Sequence, residues 1–391
     1  MNILKVGMVG LGLVSSSHLK GYLSHPNAEV TAVCDLELHR AQKFATIHGI
    51  PEVYVSYEEM LKNARIDAVS IATPNHLHAP MAKRAVESGK HVHSEKPFCR
   101  FVSEGTAAME AGDRTGRKIS VGETYLYISS FIKARELIDA GEIGRPLQIR
   151  QRHGPWVERS DNKTDLLPSN RDWRIDPEKS GGGDYPWIFD HAGHFFIAGE
   201  YLMQDQKIVE IYALAARDAR AKKRSGAAHD PYITTQSDIP ILTWRYEDSA
   251  LQGLWARAEP LNGKFDYMQG FSVSIFGDKG MIDVLGEGGH NLLWNGKQVH
   301  LILHREGKEA VTFRFDEGGD DIWQSDICYY SKGHINQVQD FVDSVVKHTE
   351  PRVTAERGIR TVRCTLAAIK SAREGRPVLV DDIDPAYSAY G

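Results

Sequence analysis

Through the first 124 positions, short runs of apolar and β-branched residues alternate with stretches in which apolar positions recur at helical spacing. Leu4–Val9 predicts a strand, and Ser15–Leu23 a helix that stops before His25-Pro26. Glu29–Cys34 predicts the second strand, followed by a helix over Leu38–His48 that Gly49 closes. Asp67–Ala72 reads as a buried strand, Pro80–Ser88 as a helix with Gly89 at its C′ position, and His91–Ser94 as strand again. Ser103–Thr115 adds a helix and Lys118–Val121 a further strand. Strands alternating with helices of this length indicate βαβ units and a parallel sheet.

After residue 124 the rhythm changes. Ser130–Ala140 predicts a helix ended by Gly141, with a strand near Leu147–His153. Residues 154–183 are polar, rich in Pro and Gly, and mostly irregular, and a helix is expected from about Tyr185 to Tyr201. Strand-like runs then follow with little helix: Ile208–Ala213, Ile239–Tyr246, Ala250–Ala258, Phe271–Phe276, Gly280–Val284, Val299–Leu303 and Val311–Phe315. That spacing predicts a mainly antiparallel sheet. The charged, Gly/Ala-rich stretch Arg217–His229 reads as a solvated loop. His334–Lys347 and Ala355–Ala372 predict two closing helices, the second ended by Gly375 with Pro377 beyond it.

A chain of 391 residues exceeds one ordinary core. The change of rhythm places the division at 1–124 and 125–391. With 41% hydrophobic and 25% charged residues, the composition is that of a globular protein. A net charge of −5 offers no basic field for nucleic acid or anionic lipid. The opening MNILKVGMVGLG reads as a first strand rather than a signal peptide, and no apolar run approaches the roughly 18 residues of a membrane span. Cys34, Cys99, Cys328 and Cys364 are scattered without a CxxC, so neither a disulfide framework nor a thiolate metal site is expected. A cytoplasmic location is the expectation.

The first chemistry-bearing motif is Gly10-Leu11-Gly12-Leu13-Val14-Ser15, which follows the first strand directly and opens the first helix. A pyrophosphate needs a tight turn there, then a residue without a side chain, so that it can approach N–H groups at the helix N-terminus. Gly10 and Gly12 meet both needs, and Leu13 and Val14 lie where main-chain N–H groups would face the phosphates. Ser15 stands where a third Gly or Ala is usual, and is small enough for close helix–strand packing. Asp35 ends the second strand, 23 residues after Gly12. A carboxylate there accepts from ribose hydroxyls and repels a 2′-phosphate, favouring NAD over NADP.

The segment ATPNHLHAPMAKRAVESGKHVHSEKP (72–97), with Gly181-Gly182-Gly183 and the spacing of Asp190 and His194, resembles the Gfo/Idh/MocA family of oxidoreductases over nearly the whole chain. The resemblance implies a Rossmann domain followed by an α+β domain with a large open-faced sheet, a substrate between the two, and a homo-oligomer assembled through that sheet. It also implies cofactor contacts from Thr73, Asn75, His78, Glu95 and Lys96, with the Lys96-Pro97 peptide often cis.

Independently, Lys96 follows a strand of the dinucleotide domain, at the sheet edge where ligands of such folds bind. The proline after it restricts its backbone and aims the ammonium at the cleft. Asp190 and His194 are four apart in an expected helix and share a face. Asp190 can bond a substrate hydroxyl or orient the imidazole. An ordinary histidine titrates near 6.5 and an ordinary lysine near 10.4, so a lysine base needs about 4 kcal/mol of environmental work. His194 is therefore expected as the base, and Lys96 as the cation that holds and polarises the substrate oxygen.

His76/His78 and His91/His93 form HxH pairs that could, with Asp190, His191 and His194, suggest a metal. The loop context of the first pair and the strand alternation of the second favour no metal. Tyr125 and Arg174 are further substrate-binding candidates, although Glu123 and Leu126 depart from the family's pattern around Tyr125. Trp173 and Arg174 precede the GGG segment, as expected for a loop closing over the site, and Trp156, Arg152, His153 and His334 are weaker specificity candidates. The expected function is NAD-dependent oxidation of a secondary hydroxyl on a sugar, cyclitol or related polyol, or the reverse reduction. Its rivals are a glycoside-cleaving enzyme that recycles NAD through a keto intermediate and a non-catalytic dinucleotide sensor.

Overall fold

The computed structural model describes residues 3–153, 172–174, 176–217, 238–257, 272–285, 293–294, 297–315 and 329–391. Trp156, Cys328 and nearly all of Arg217–His229 lie outside the described residues.

Strands β1 (Leu4–Val9), β2 (Ala28–Cys34), β3 (Glu52–Tyr54), β4 (Ala68–Ile71), β5 (His91–Glu95) and β6 (Ile119–Gly122) form one sheet in the order β3-β2-β1-β4-β5-β6. Every pair in it is parallel. The crossovers are α1 (Ser15–Leu23), α2 (Leu38–His48), α3 (Tyr57–Asn63), α4 (His78–Glu87) and α5 (Val102–Thr115). The order reverses between β1 and β4, which opens a crevice at their carboxyl ends, where ligands of doubly wound sheets bind. Two elements lie outside the periodic reading: β3 has three residues and α3 seven, too short to display a period. A serine cap starts α3, Ser56 accepting from the main-chain N–H of Glu59.

Beyond β6, a 3-10 turn (Thr124–Tyr127) leads into α6 (Ser129–Asp139) and β7 (Pro146–His153). Within the stretch expected to be irregular, the described part holds a 3-10 turn, Asp172–Arg174, and the short α7, Pro177–Ser180. The long α8 (Pro186–Leu202) is buried along most of its length. Strands β8 (Ile208–Arg217), β9 (Asp238–Tyr246), β10 (Gln252–Arg257), β11 (Ser272–Gly277) and β12 (Gly280–Leu285) follow. A two-stranded ribbon, β13 (Leu293–Trp294) and β14 (Lys297–Gln298), precedes β15 (Leu301–Arg305) and β16 (Val311–Phe313). Helices α9 (Tyr329–Val346) and α10 (Ala355–Glu374) lead to β17 (Val378–Leu379).

The second sheet runs β16-β15-β12-β11-β7-β10-β9-β8-β17 and is antiparallel apart from the β7–β10 pair. Alternation gives it two faces. One carries Ile211, Trp244, Trp255 and Ile275, all buried. The other leaves Leu214 and Ile241, directly paired across β8 and β9, 53% and 50% exposed. Gly253 pairs with Trp244 across β9–β10, and a Cβ there would meet the indole at 2.1 Å, so only glycine lets the tryptophan lie flat over the strand.

Packing crosses the division at residue 124. Val338, Phe341, Val342 and Val345 of α9 join Leu4, Val6, Leu19 and Tyr22 in one apolar cluster. Gly21 of α1 sits so close to Val338 that a Cβ would lie 2.6 Å from the valine Cβ. The main-chain N–H of Val121 donates to Val353 O at 3.0 Å, just after α9. The sheet of the first domain is thus covered on one side by chain from the far end of the sequence. No described helix is long and apolar enough to cross a membrane.

Candidate active site

At the crevice, Gly10 has φ +80°, and a Cβ on it would meet Ala72 O at 2.6 Å. Gly12 differs: a Cβ there would meet nothing within 4 Å, so its bare backbone faces open space. Ser15 is fully buried, and its hydroxyl donates to Gly12 O at 2.6 Å, closing the turn onto α1. Asp35 accepts from the main-chain N–H groups of Leu11 at 2.9 Å and Glu37 at 3.0 Å. Arg40 lies 3.3 Å from the same carboxylate. The acidic group at the end of β2 therefore braces the glycine turn. A turn braced in this way, with space in front of Gly12, fits a dinucleotide pyrophosphate.

The wall below the turn is tied together through Thr73–His78 and Glu95–Pro97. His78 is buried, with Nδ1 2.8 Å from Pro97 O and Nε2 2.7 Å from Thr73 O. Burial favours the neutral ring, which can donate to only one of these two carbonyls, and the side chain links the two loops. Asn75, also buried, donates to Ser180 O at 2.9 Å and joins the first domain to α7. Thr73 Oγ1 lies 3.7 Å from Met81 Sδ. Lys96-Pro97 is cis.

Glu95 points under the sheet edge. Its Oε1 accepts from His18 Nε2 at 2.9 Å, and His334 Nδ1 lies 4.0 Å from the same oxygen. Burial alone would raise this carboxyl, but the His18 hydrogen bond, with His18, His334 and Lys96 nearby, holds it far below the usual carboxylate range. Burial pushes His334 down to about 4. His93 is fully buried against His18 and Phe341, whereas His91 begins β5 at the opposite end of the sheet from the crevice. The second HxH pair is therefore split along β5, with His91 at its start and His93 within it.

Across the crevice, α8 presents Asp190 and His194 on one face, as their spacing predicts. The Lys96 ammonium donates to Asp190 O at 2.9 Å and to its Oδ1 at 3.2 Å. Arg174, from the 3-10 turn before α7, donates to Asp190 Oδ2 at 2.7 Å and stacks over Trp173. His194 does not bond Asp190. Its Nδ1 hydrogen-bonds Oε1 of Glu123, at the end of β6. Tyr125 is buried and lays its ring against His194, with centroids 4.5 Å apart. Glu123, which the sequence marked only as a departure from a pattern, is thus part of the site. A carboxylate just past the last parallel strand was the available signal.

Of the weaker candidates, His153 lies on the buried face of β7 near Trp187 and Phe195, while Arg152 alternates onto the opposite face. Burial, with Arg257 nearby, holds His153 well below the ordinary histidine range. His191 stacks on Trp187 at 3.9 Å and burial lowers it likewise, although Asp190 acts against this.

A glycine turn braced by an acidic residue, at a crevice that also holds Lys96 and His194, fits an NAD-binding oxidoreductase. The chain belongs to the Gfo/Idh/MocA oxidoreductase family. Its residues 4–123 match the family's NAD-binding Rossmann fold and residues 135–380 its C-terminal alpha/beta domain. The scyllo-inositol 2-dehydrogenase (NAD(+)) of Bacillus subtilis (strain 168) is 25% identical over 387 residues, covering 98% of each chain. The inositol 2-dehydrogenase of Salmonella typhimurium is 31% identical over 153 residues, 38% of this chain and 46% of its own. Among solved structures, scyllo-inositol dehydrogenase from Lactobacillus casei with NAD(H) and scyllo-inositol superposes with a TM-score of 0.72 at 19% identity, covering 97% of this chain and 100% of that one.

Proposed function

We propose that this protein oxidises a secondary hydroxyl of a cyclitol, sugar or related polyol with NAD, or reduces the corresponding ketone. The observation that carries the proposal is the meeting of Lys96 with Asp190, 3.2 Å apart, beside a His194 whose Nδ1 is already engaged. When bound, NAD supplies the hydride acceptor. The chain's own residues have the remaining tasks. Lys96 donates to the reacting oxygen and stabilises its developing negative charge. His194 takes the hydroxyl proton, and Asp190, neutralised by Lys96 and Arg174, holds a neighbouring hydroxyl. Thr73, Asn75 and His78 keep the wall of the cleft in register, and Asp35 favours NAD over NADP. Relatives named for inositol oxidation support the substrate class.

The face of the second sheet on which Leu214 and Ile241 stand exposed among the described residues supports a homo-oligomer assembled through that face. The deciding experiment incubates the protein with inositols, aldoses and anhydro sugars, with NAD and with NADP, and follows absorbance of the reduced nicotinamide. Net NADH from a polyol is expected. Cleavage of a glycoside without net NADH, or no turnover across the panel, would overturn the reading.

A further inference from the structure

We infer that Glu123 is the positioning residue of the proton-transfer step, holding His194 in the one tautomer that can act as a base. The inference rests on the dehydrogenase reading above and adds a residue to it. Glu123 and His194 are each 3% exposed, and their hydrogen bond joins β6 of the first domain to α8 of the second. A carboxylate only accepts, so Nδ1 carries the proton and Nε2 keeps its lone pair. Among the described residues nothing bonds Nε2, and the only ion-pair partner of Glu123 is His194. Asp190, the other carboxylate on this face of α8, cannot take the same part, because Lys96, Arg174 and His191 surround it.

Two further features fix the ring. The Tyr125 ring lies against it, and Glu123 itself caps the turn that carries Tyr125, accepting weakly from the tyrosine N–H at 3.5 Å. In the forward step the substrate O–H bond breaks as an Nε2–H bond forms. The positive charge then on the imidazole faces the buried Glu123 carboxylate. That compensation is worth more in a water-poor site than at the surface.

The other titratable groups around His194 are Tyr125, His153 from β7, His334 from α9, and Asp190 and His191 on its own helix, with Lys96 beyond Asp190. Glu123 is the only one of them in hydrogen-bond contact with the ring among the described residues.

The test compares E123Q, E123D, H194A and E123Q/H194A on scyllo-inositol, or on whichever polyol of the panel the wild type turns over. In E123Q, kcat is expected to fall about 30- to 300-fold while KM for NAD stays within about twofold. E123D should recover part of the loss. A neighbouring carboxylate favours the protonated imidazole, so its removal moves the acidic limb of the kcat profile to lower pH. In the H194A background, E123Q should cost less than about twofold, because the residue acts through His194.

Unchanged kcat, an unmoved acidic limb, or a full additional loss in the double variant would each overturn the inference. If the wild type turns over no polyol, the dehydrogenase reading fails on its own. Nitrogen NMR of His194 in wild type and E123Q then decides this point separately. An Nδ1-protonated neutral tautomer that is lost in E123Q, or an Nε2 that protonates at lower pH there, supports the inference, and an unchanged tautomer with an identical Nε2 titration overturns it.

Discussion

The ammonium of Lys96 bonds the main-chain oxygen of Asp190 at 2.9 Å and its Oδ1 at 3.2 Å, tying the end of the fifth parallel strand to the face of the long second-domain helix. With Arg174 on the other carboxylate oxygen, one acidic group is shared by two cations. On the proposed mechanism, a hydroxyl bound beside Asp190 would meet cationic donors already held in place by that carboxylate.

Removing that donor tests its role. Lys96→Ala is expected to lower kcat about 10²- to 10³-fold, the usual cost of one oxyanion donor, with a smaller loss of NAD affinity. Steady-state kinetics with equilibrium NAD binding measures both. If His194→Ala retains substantial turnover while Lys96→Ala abolishes it, the lysine is the base and the two roles exchange.

On the proposed mechanism Arg174 acts on the substrate through Asp190, whose Oδ2 it holds. Arg174→Met frees one carboxylate oxygen and leaves Asp190 less firmly oriented. KM for the polyol should rise about tenfold with a smaller change in kcat, as for a contact made equally in ground and transition states. A loss confined to kcat would contradict this.

The two glycines of the turn should behave differently. Gly10→Ala places a side chain at φ +80° against Ala72 O and is expected to destabilise the fold by about 1–3 kcal/mol. Gly12→Val meets no protein atom within 4 Å of its Cβ, so the urea midpoint should barely move while NAD affinity falls at least about tenfold. Urea unfolding and NAD titration of both variants separate the cases.

Acid stability follows from His334 and Glu95. His334 is held down at about 4 by burial, so between pH 6.5 and 4 the unfolded chain takes up a proton that the folded protein refuses. Stability therefore falls with pH in that window, by about 3 kcal/mol at most from this residue. Glu95 is depressed too: its contribution is present above the ordinary glutamate range and is lost as pH falls below it. His334→Gln removes the first effect. Its urea midpoint should decline less steeply between pH 6.5 and 4.5 than that of the wild type.

The parallel sheet was legible because each of its longer strands and helices carries its own period, and the glycine turn because strand, turn, helix and Asp35 all lie in one short stretch of chain. Lys96, Asp190 and His194 were legible as types at telling positions. Which carboxylate holds the imidazole was not, because 71 residues separate Glu123 from His194 and no local pattern encodes that distance. The contacts of His78 with Pro97 O and Thr73 O were likewise not legible, because they join two loops that only the fold brings together. Strand β3 and helix α3 escaped because pieces so short form through neighbours rather than through period.

The return of α9 to the first sheet has a consequence for synthesis. The stripe of α1 around Gly21 and Tyr22 is covered by Val338 and Phe341, which leave the ribosome more than 200 residues after the glycine turn and its sheet are complete. At about 5–20 residues per second, that stripe stays uncovered for roughly 10–40 s in every nascent chain. The third of the protein made first is thus completed only when α9 has been made.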